Sequence, residues 1–400
     1  MKTAIRVRTA LILPLAALLV LGCSSGSSYN GSIYYYIENE EVVNDSSLDN
    51  EAGFFNVVRL GTAASPVYYA ACGQIRKSAS ISGSGTSRSI TWDTEELELP
   101  TASICTALVA FGGNLYGGFL PYQTLQSDMG LYKATVDAGG TLTSGFTQVT
   151  DSAVKGYQVP YLYVSPESGG DRLIAIVAKE ASTDSTSTPY SYVIYRSGDG
   201  ASFSQIYPAT GTTLTACPKS ITYQAYTGYY WILFDDHLVR LDGSTLSEVS
   251  VGPTLDTDNY EELRSVYCCT LTSQTLVYAT SSYGYIYKTA DYGSTWTASS
   301  QATISSVVVP FISFAEIPSY GGTTTCLAGA EGYGYYTVDD SLALVRYADT
   351  TYADLRASAI RSFYVDDRSS ASNGTTTFAI TTDYGLWRME ADSSIVWNQE

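Results

Sequence analysis

Tyr283-Gly284-Tyr285-Ile286-Tyr287-Lys288-Thr289-Ala290-Asp291-Tyr292-Gly293-Ser294-Thr295-Trp296 falls into two halves. The first alternates aromatic or β-branched residues with polar ones, the pattern of a strand whose side chains point to opposite faces. The second is turn chemistry. An Asp carboxylate can accept backbone N–H bonds, Gly supplies a positive φ, and a large apolar residue closes the turn from beneath. The same succession returns without a gap 101 residues later, from Tyr384-Gly385 through Asp392 to Trp397. Between them stands Gly332-Tyr333-Gly334-Tyr335-Tyr336, with Tyr333 placed 50 residues after Tyr283.

Strand chemistry extends outward in both directions. Tyrosine supplies 35 of the 400 residues. Runs such as 55–60, 191–196 and 376–381 are rich in Val, Ile, Thr and Tyr and are bounded by Gly, Asp, Ser and Pro. No helical stretch interrupts them, so the class is all-β. A period near 50 that doubles cleanly is the signature of stacked four-stranded units, hence of a β-propeller with antiparallel blades. Counting third strands gives a seven-bladed propeller, with units beginning near Gly73, Gly130, Ser191, His237, Tyr283, Tyr333 and Tyr384.

The turn after each third strand gives a second marker. Thr289, Asp291, Gly293, Thr295 and Trp296 fill the pattern Ser/Thr-x-Asp-x-Gly-x-Thr-Trp completely. Thr135, Asp137, Gly139 and Thr141 repeat it with Leu142 in the last place, and Asp199 to Phe203 and Asp242 to Leu246 are versions one residue shorter. On these residues the chain resembles the Asp-box, or BNR-repeat, β-propeller superfamily, which includes sialidases, sortilin-type receptor domains and photosystem assembly factors. The resemblance implies architecture over 52–400 and little about chemistry, because propellers host many functions.

The N-terminus reads as an export signal. Lys2, Arg6 and Arg8 precede an apolar run from Thr9 to Leu21, too short to span a bilayer. Val20-Leu21-Gly22-Cys23 resembles a lipobox, so residues 1–22 are expected to be cleaved and Cys23 to carry the lipid. Ser24 in the next position favours outer-membrane sorting. Residues 23–51 then form a polar tether that includes the acidic stretch 38–51. Within it, Ser32-Ile33-Tyr34-Tyr35-Tyr36-Ile37 is a candidate strand to pair with 395–398 and close the ring.

Charge and composition narrow the function. The formal net charge is −18, and loss of Lys2, Arg6 and Arg8 makes it more negative by three. Nucleic acid and anionic lipid surfaces are poor partners for that field. Cys72, Cys105, Cys217, Cys268, Cys269 and Cys326 show no metal-ligand spacing. They sit in apolar runs and read as buried thiols, with Cys268 and Cys269 pointing to opposite faces of a strand. His237 is the only histidine and reads as a loop residue. Asp256-Thr257-Asp258-Asn259-Tyr260-Glu261 lacks the Gly and Glu of a calcium loop. Sialidase chemistry would require an arginine triad, yet Arg59, Arg76, Arg172, Arg264 and Arg361 lie in no matching context, and Glu316 stands where an Ile-Pro motif would carry Arg. No catalytic residue, cofactor or metal site is expected, and an enzymatic role is disfavoured.

What remains is recognition by a monomeric, envelope-anchored propeller. Tyr283, Tyr333 and Tyr384 each precede a Gly at the turn into a third strand and are expected to share one face. Tyr116, Phe119, Pro121 and Tyr122 are read as a long connection, with 112–130 as a flap over that face. Tyrosine rings suit a protein or glycan ligand. The alternatives are a sialidase-like or other carbohydrate-active enzyme, and an assembly factor for another envelope protein.

Overall fold

The computed structural model describes residues 54–83, 85–93, 97–100, 103–121, 128–180, 190–347, 350–368, 374–382, 385–391 and 395–400. Seven sheets of four strands follow one another along the chain, at 56–92, 103–148, 158–207, 220–251, 263–298, 311–346 and 360–399. In each, sequential strands pair antiparallel, and the seven form the blades of a propeller ring. The third strands are Gln74–Ser82, Gly130–Thr135, Tyr190–Ser197, Leu238–Asp242, Ile286–Thr289, Tyr335–Val338 and Leu386–Ala391. These are the places that the repeat predicted.

Period-two alternation explains how one blade serves two neighbours. In the second strand of blade 3, Arg172–Glu180, the side chains of Leu173, Ala175 and Val177 join the core shared with blade 2. Ile174 and Ile176 join the core shared with blade 4. Both faces are dry, so the strand reads as a continuous apolar run. Seven apolar clusters result among the described residues, each straddling one blade junction.

Residues 114–121 correct the sequence reading. They form the second strand of blade 2, Asn114–Pro121, paired on both sides, and not a connection or flap. Gly117 and Gly118 suggested a loop, but here glycine answers to packing. A Cβ on Gly118 would lie 2.1 Å from the Val159 carbonyl oxygen of blade 3, and the Phe119 ring occupies the space a Cβ on Gly117 would need. Residues 122–127, including Tyr122, lie outside the described residues, as do Cys23, the 32–37 segment and Tyr384.

Two further devices join the blades. A cation on the third strand reaches a backbone carbonyl in the next blade's third-to-fourth turn: Arg196 to Gly243 at 3.0 Å, Arg240 to Tyr292, Lys288 to Asp340, and Arg388 to Arg88 at 2.6 Å. The last of these crosses from blade 7 to blade 1, where a buried ionic cluster reinforces it. Arg59 and Arg368 pair with Asp366, Arg88 and Arg368 with Glu390, and Arg388 with both Glu390 and Glu400. Tyr68 donates to Asp366 at 2.8 Å, and the Trp92 indole to Glu400 at 3.3 Å. Together with the shared core of Phe54, Tyr68, Trp92, Phe378 and Ile380, these contacts join the first blade to the last.

Candidate recognition face

A four-stranded meander has two unlike ends. The first-to-second and third-to-fourth turns lie at one end; the second-to-third turns and the connections between blades lie at the other. The first end is occupied by self-contained turns. Asp291 accepts from the Thr295 backbone at 2.8 Å, the Thr295 hydroxyl at 2.7 Å and the Thr289 hydroxyl at 2.8 Å. Gly293 adopts φ +86°, and a Cβ there would lie 2.8 Å from Cβ of Val251 in blade 4. Trp296 packs edge-on against Trp231 of that blade at 6.2 Å. Asp137 accepts from the Thr141 backbone at 2.9 Å, while Thr135 bonds to Thr143 and Ser144, and Gly139 lies inside the turn. Asp199 accepts from the backbones of Ala201 and Ser202, and Asp242 from those of Ser244 and Thr245.

A fifth turn of this kind went unread in the sequence. Asp339 accepts from the Ser341 backbone and hydroxyl at 2.8 and 2.7 Å and from the Ala343 backbone at 2.9 Å. Ser341 stands where the motif carries Gly, and Leu342 after it takes φ +65°, so the motif was hidden. The available signal was its register, directly after Tyr335–Val338. Hydrogen-bond donors hold the carboxylates of Asp199, Asp242, Asp291 and Asp339 ionised. The Ser202 backbone N–H leads for Asp199, the Ser244 hydroxyl for Asp242 and the Thr295 hydroxyl for Asp291, each held down to about 2. Asp339 is lowered in the same sense, led by the Ser341 hydroxyl.

The opposite end carries Tyr283 and Tyr333, both half-buried, at the second-to-third turns of blades 5 and 6. The Tyr283 ring lies 6.3 Å from that of Tyr285, and its carbonyl accepts from Gln301 at 3.0 Å. The Arg346 guanidinium stands 5.9 Å over the Tyr333 ring and donates to the Tyr333 carbonyl at 3.3 Å. Each turn is flanked by an insertion from a blade connection. Beside Tyr283 is the hairpin Thr303–Ile304 and Val307–Val308, which leaves Val307 53% exposed. Beside Tyr333 is the short helix Ala353–Ala357, whose Arg356 carbonyl accepts from Arg346. Tyr260, in the connection between blades 4 and 5, is 88% exposed with φ +53°. Sequence reading missed it because it sits among acidic residues that look like a solvated loop.

Tyr116 is not at this face. It is 1% exposed, packs edge-on against Phe111, and fills the space beside Gly200 at the end that carries the Asp turns. It is a packing residue. His237 stacks on Phe234 at 4.5 Å and bonds to Asp236 at 2.6 Å at a tight turn. Asp256 and Glu261 satisfy their own loop, and no group of three His, Cys, Asp or Glu able to hold a metal occurs among the described residues. The arginines that converge are those of the blade 7–blade 1 junction. They are spent on Asp366, Glu390 and Glu400.

No family model matches the chain, and no curated protein matches it by sequence. Solved structures do match by shape. A structure of YCF48 bound to a D1 peptide shares 12% identity at TM-score 0.56, covering 86% of this chain and 96% of that one. An ancestral GH74 enzyme gives 13% identity and TM-score 0.59 over 89% of this chain. The extracellular domain of the BT4673 one-component system of B. thetaiotaomicron gives 13% identity and TM-score 0.51 over 86%. The chain spans 47% and 39% of the lengths of these last two. At such identities the likeness speaks for the fold: this chain is a seven-bladed β-propeller.

Proposed function

We propose that this propeller is a binding or scaffolding module of the bacterial envelope that recognises a protein segment across the face carrying Tyr260, Tyr283, Val307 and Tyr333. The observation that carries this reading is the run of exposed or half-exposed aromatic and aliphatic side chains at the neighbouring turns of blades 5 and 6 and in the connections leading into those blades. Such residues leave water at little entropic cost, since a Tyr has few rotamers to lose. The YCF48 structure supports a protein ligand, being a propeller of similar extent with a peptide bound. We read the Asp turns as Asp-boxes of the BNR superfamily, serving to hold the blades, and Cys23 as the lipidated residue that tethers the module to the outer membrane. The carbohydrate-active alternative has less support, because three of the four convergent arginines are buried and all four are paired with carboxylates.

The test is co-purification from detergent-solubilised envelopes with wild type and with a Tyr283→Ala/Tyr333→Ala variant. A specific protein held at least tenfold more strongly by wild type supports the reading. Equal recovery by both, or binding confined to a glycan array, overturns it. The anchor is tested separately: Cys23→Ser is expected to leave the membrane fraction or to accumulate as uncleaved precursor, and unchanged partitioning and processing would refute it.

A further inference from the structure

Six cysteines of the described residues are free thiols, and five of them are buried. Their distribution is uneven. Cys72, Cys105 and Cys268 each sit in a different core cluster, whereas Cys269 and Cys326 share one, at the junction of blades 5 and 6. Cys269 follows the first strand of blade 5, Leu263–Cys268, and Cys326 lies in the second strand of blade 6, Thr323–Ala330. The two side chains are buried together in that cluster, and the Cys326 side chain acts directly on the Cys269 thiol.

One residue holds this arrangement in place. Glu316, 1% exposed on the first strand of blade 6, is the cross-strand partner of Cys326. Its carboxylate grips the segment immediately after Cys269, accepting from the backbones of Thr270, Leu271 and Thr272 at 2.6, 3.0 and 2.8 Å. The Thr272 hydroxyl donates to it at 2.6 Å. The clamp fixes the loop beside one thiol to the strand that pairs with the one carrying the other.

We propose that Cys269 and Cys326 are the redox-modifiable pair of this protein, forming a disulfide that staples blade 5 to blade 6. The oxidant is an external disulfide, either a small molecule or a disulfide-donor protein. One cysteine sulfur attacks it, forming a mixed disulfide and releasing one thiol. The second cysteine then attacks the mixed disulfide and releases the other. Two protein S–H bonds and the oxidant's S–S bond are broken; one protein S–S bond and two thiol S–H bonds are formed. The Cys326 side chain, burial and the Glu316 charge push the Cys269 thiol up, so Cys269 is a poor nucleophile in the closed fold. Oxidation therefore requires the 270–276 loop to open, or takes place before the two blades have packed. The staple joins the two blades that present Tyr283 and Tyr333.

The test uses the purified full chain, oxidised glutathione at graded urea concentrations, alkylation of remaining thiols, and peptide mapping by mass spectrometry. The expected result is one linked peptide pair, Cys269–Cys326, with two fewer alkylated thiols and a melting temperature raised by several degrees, all reversed by dithiothreitol. Cys269→Ser and Cys326→Ser are each expected to abolish both the linkage and the thermal gain, while Cys268→Ser retains them. The linkage map of wild type decides the matter even if a serine variant fails to fold. Recovery of both cysteines as alkylated peptides after complete exposure, or linkage of Cys269 to a different cysteine, overturns the proposal.

Discussion

Glu316→Gln is the sharpest perturbation of this architecture, because it changes one charge and almost no volume. The wild-type carboxylate accepts from three backbone N–H groups and from the hydroxyls of Thr270 and Thr272. Glutamine keeps one acceptor oxygen and turns an NH2 group towards donors that the second oxygen had satisfied. At least two backbone N–H groups then lose a charged partner. Hydrogen bonds to charged groups contribute about 1.5–3 kcal/mol, and an unsatisfied buried donor costs about 1–3 kcal/mol. The variant is therefore expected to lose about 3–5 kcal/mol. Equilibrium urea unfolding gives the global figure, and amide hydrogen exchange at Thr270, Leu271 and Thr272 gives the local one, with protection at those three sites falling first. A loss below about 1 kcal/mol with protection unchanged would refute the assignment of Glu316 as the clamp between blades 5 and 6.

Other expectations follow from the same contacts. Burial pushes the Glu316 carboxyl up, but hydrogen bonds from the Thr272 hydroxyl and the 270–272 backbone outweigh it, leaving it lowered from 4.5. Its stabilisation is therefore complete above pH 4.5 and lost as pH falls through the lowered value; the stability gap between wild type and Glu316→Gln should close over that acid range, and a gap that widens contradicts this. Arg240→Ala removes the tie to Tyr292 and a guanidinium 4.6 Å over the Tyr229 ring, for an expected loss of about 1–3 kcal/mol in denaturant unfolding. Gly293→Ala forces a side chain into φ +86° and against Val251, and should cost about 2–4 kcal/mol by the same assay, whereas Ala at Gly322, where nothing lies within 4 Å, should pay only its backbone strain. Arg388→Met leaves Glu390 and Glu400 short of a buried partner and should cost about 3–5 kcal/mol, which thermal unfolding would detect.

Much of the fold was legible because its signals are local and periodic. The third strands and their turns repeat near every 50 residues, and alternation within each strand marks residues that face a neighbouring blade. What escaped reading depends on contacts across junctions. In the aligned repeats Lys288 falls opposite Met389 and Arg388 opposite Tyr287, and only the ring shows that both cations reach the next blade's turn. Glu316 looked like a substitution in a catalytic motif and is instead a backbone clamp. Gly117 and Gly118 resembled a loop because a sequence does not show that Val159 approaches them. Asp339 was hidden because Ser341 stands in the place of the motif's Gly. The tyrosines divide on the same principle. Tyr283 and Tyr333 lie at turns whose end of the blade follows from strand order, whereas the position of Tyr116 depended on recognising 114–121 as a strand.

Site-directed photocrosslinking in intact cells tests the recognition face most directly. A photoreactive phenylalanine analogue would replace Tyr260, Tyr283, Val307 or Tyr333 in turn, with Tyr226 and Leu271, exposed at the opposite end, as controls. The account predicts that the four positions yield adducts to one and the same protein and that the two controls do not. Adducts from the controls alone, or none from the four in cells where the protein is abundant, would contradict it.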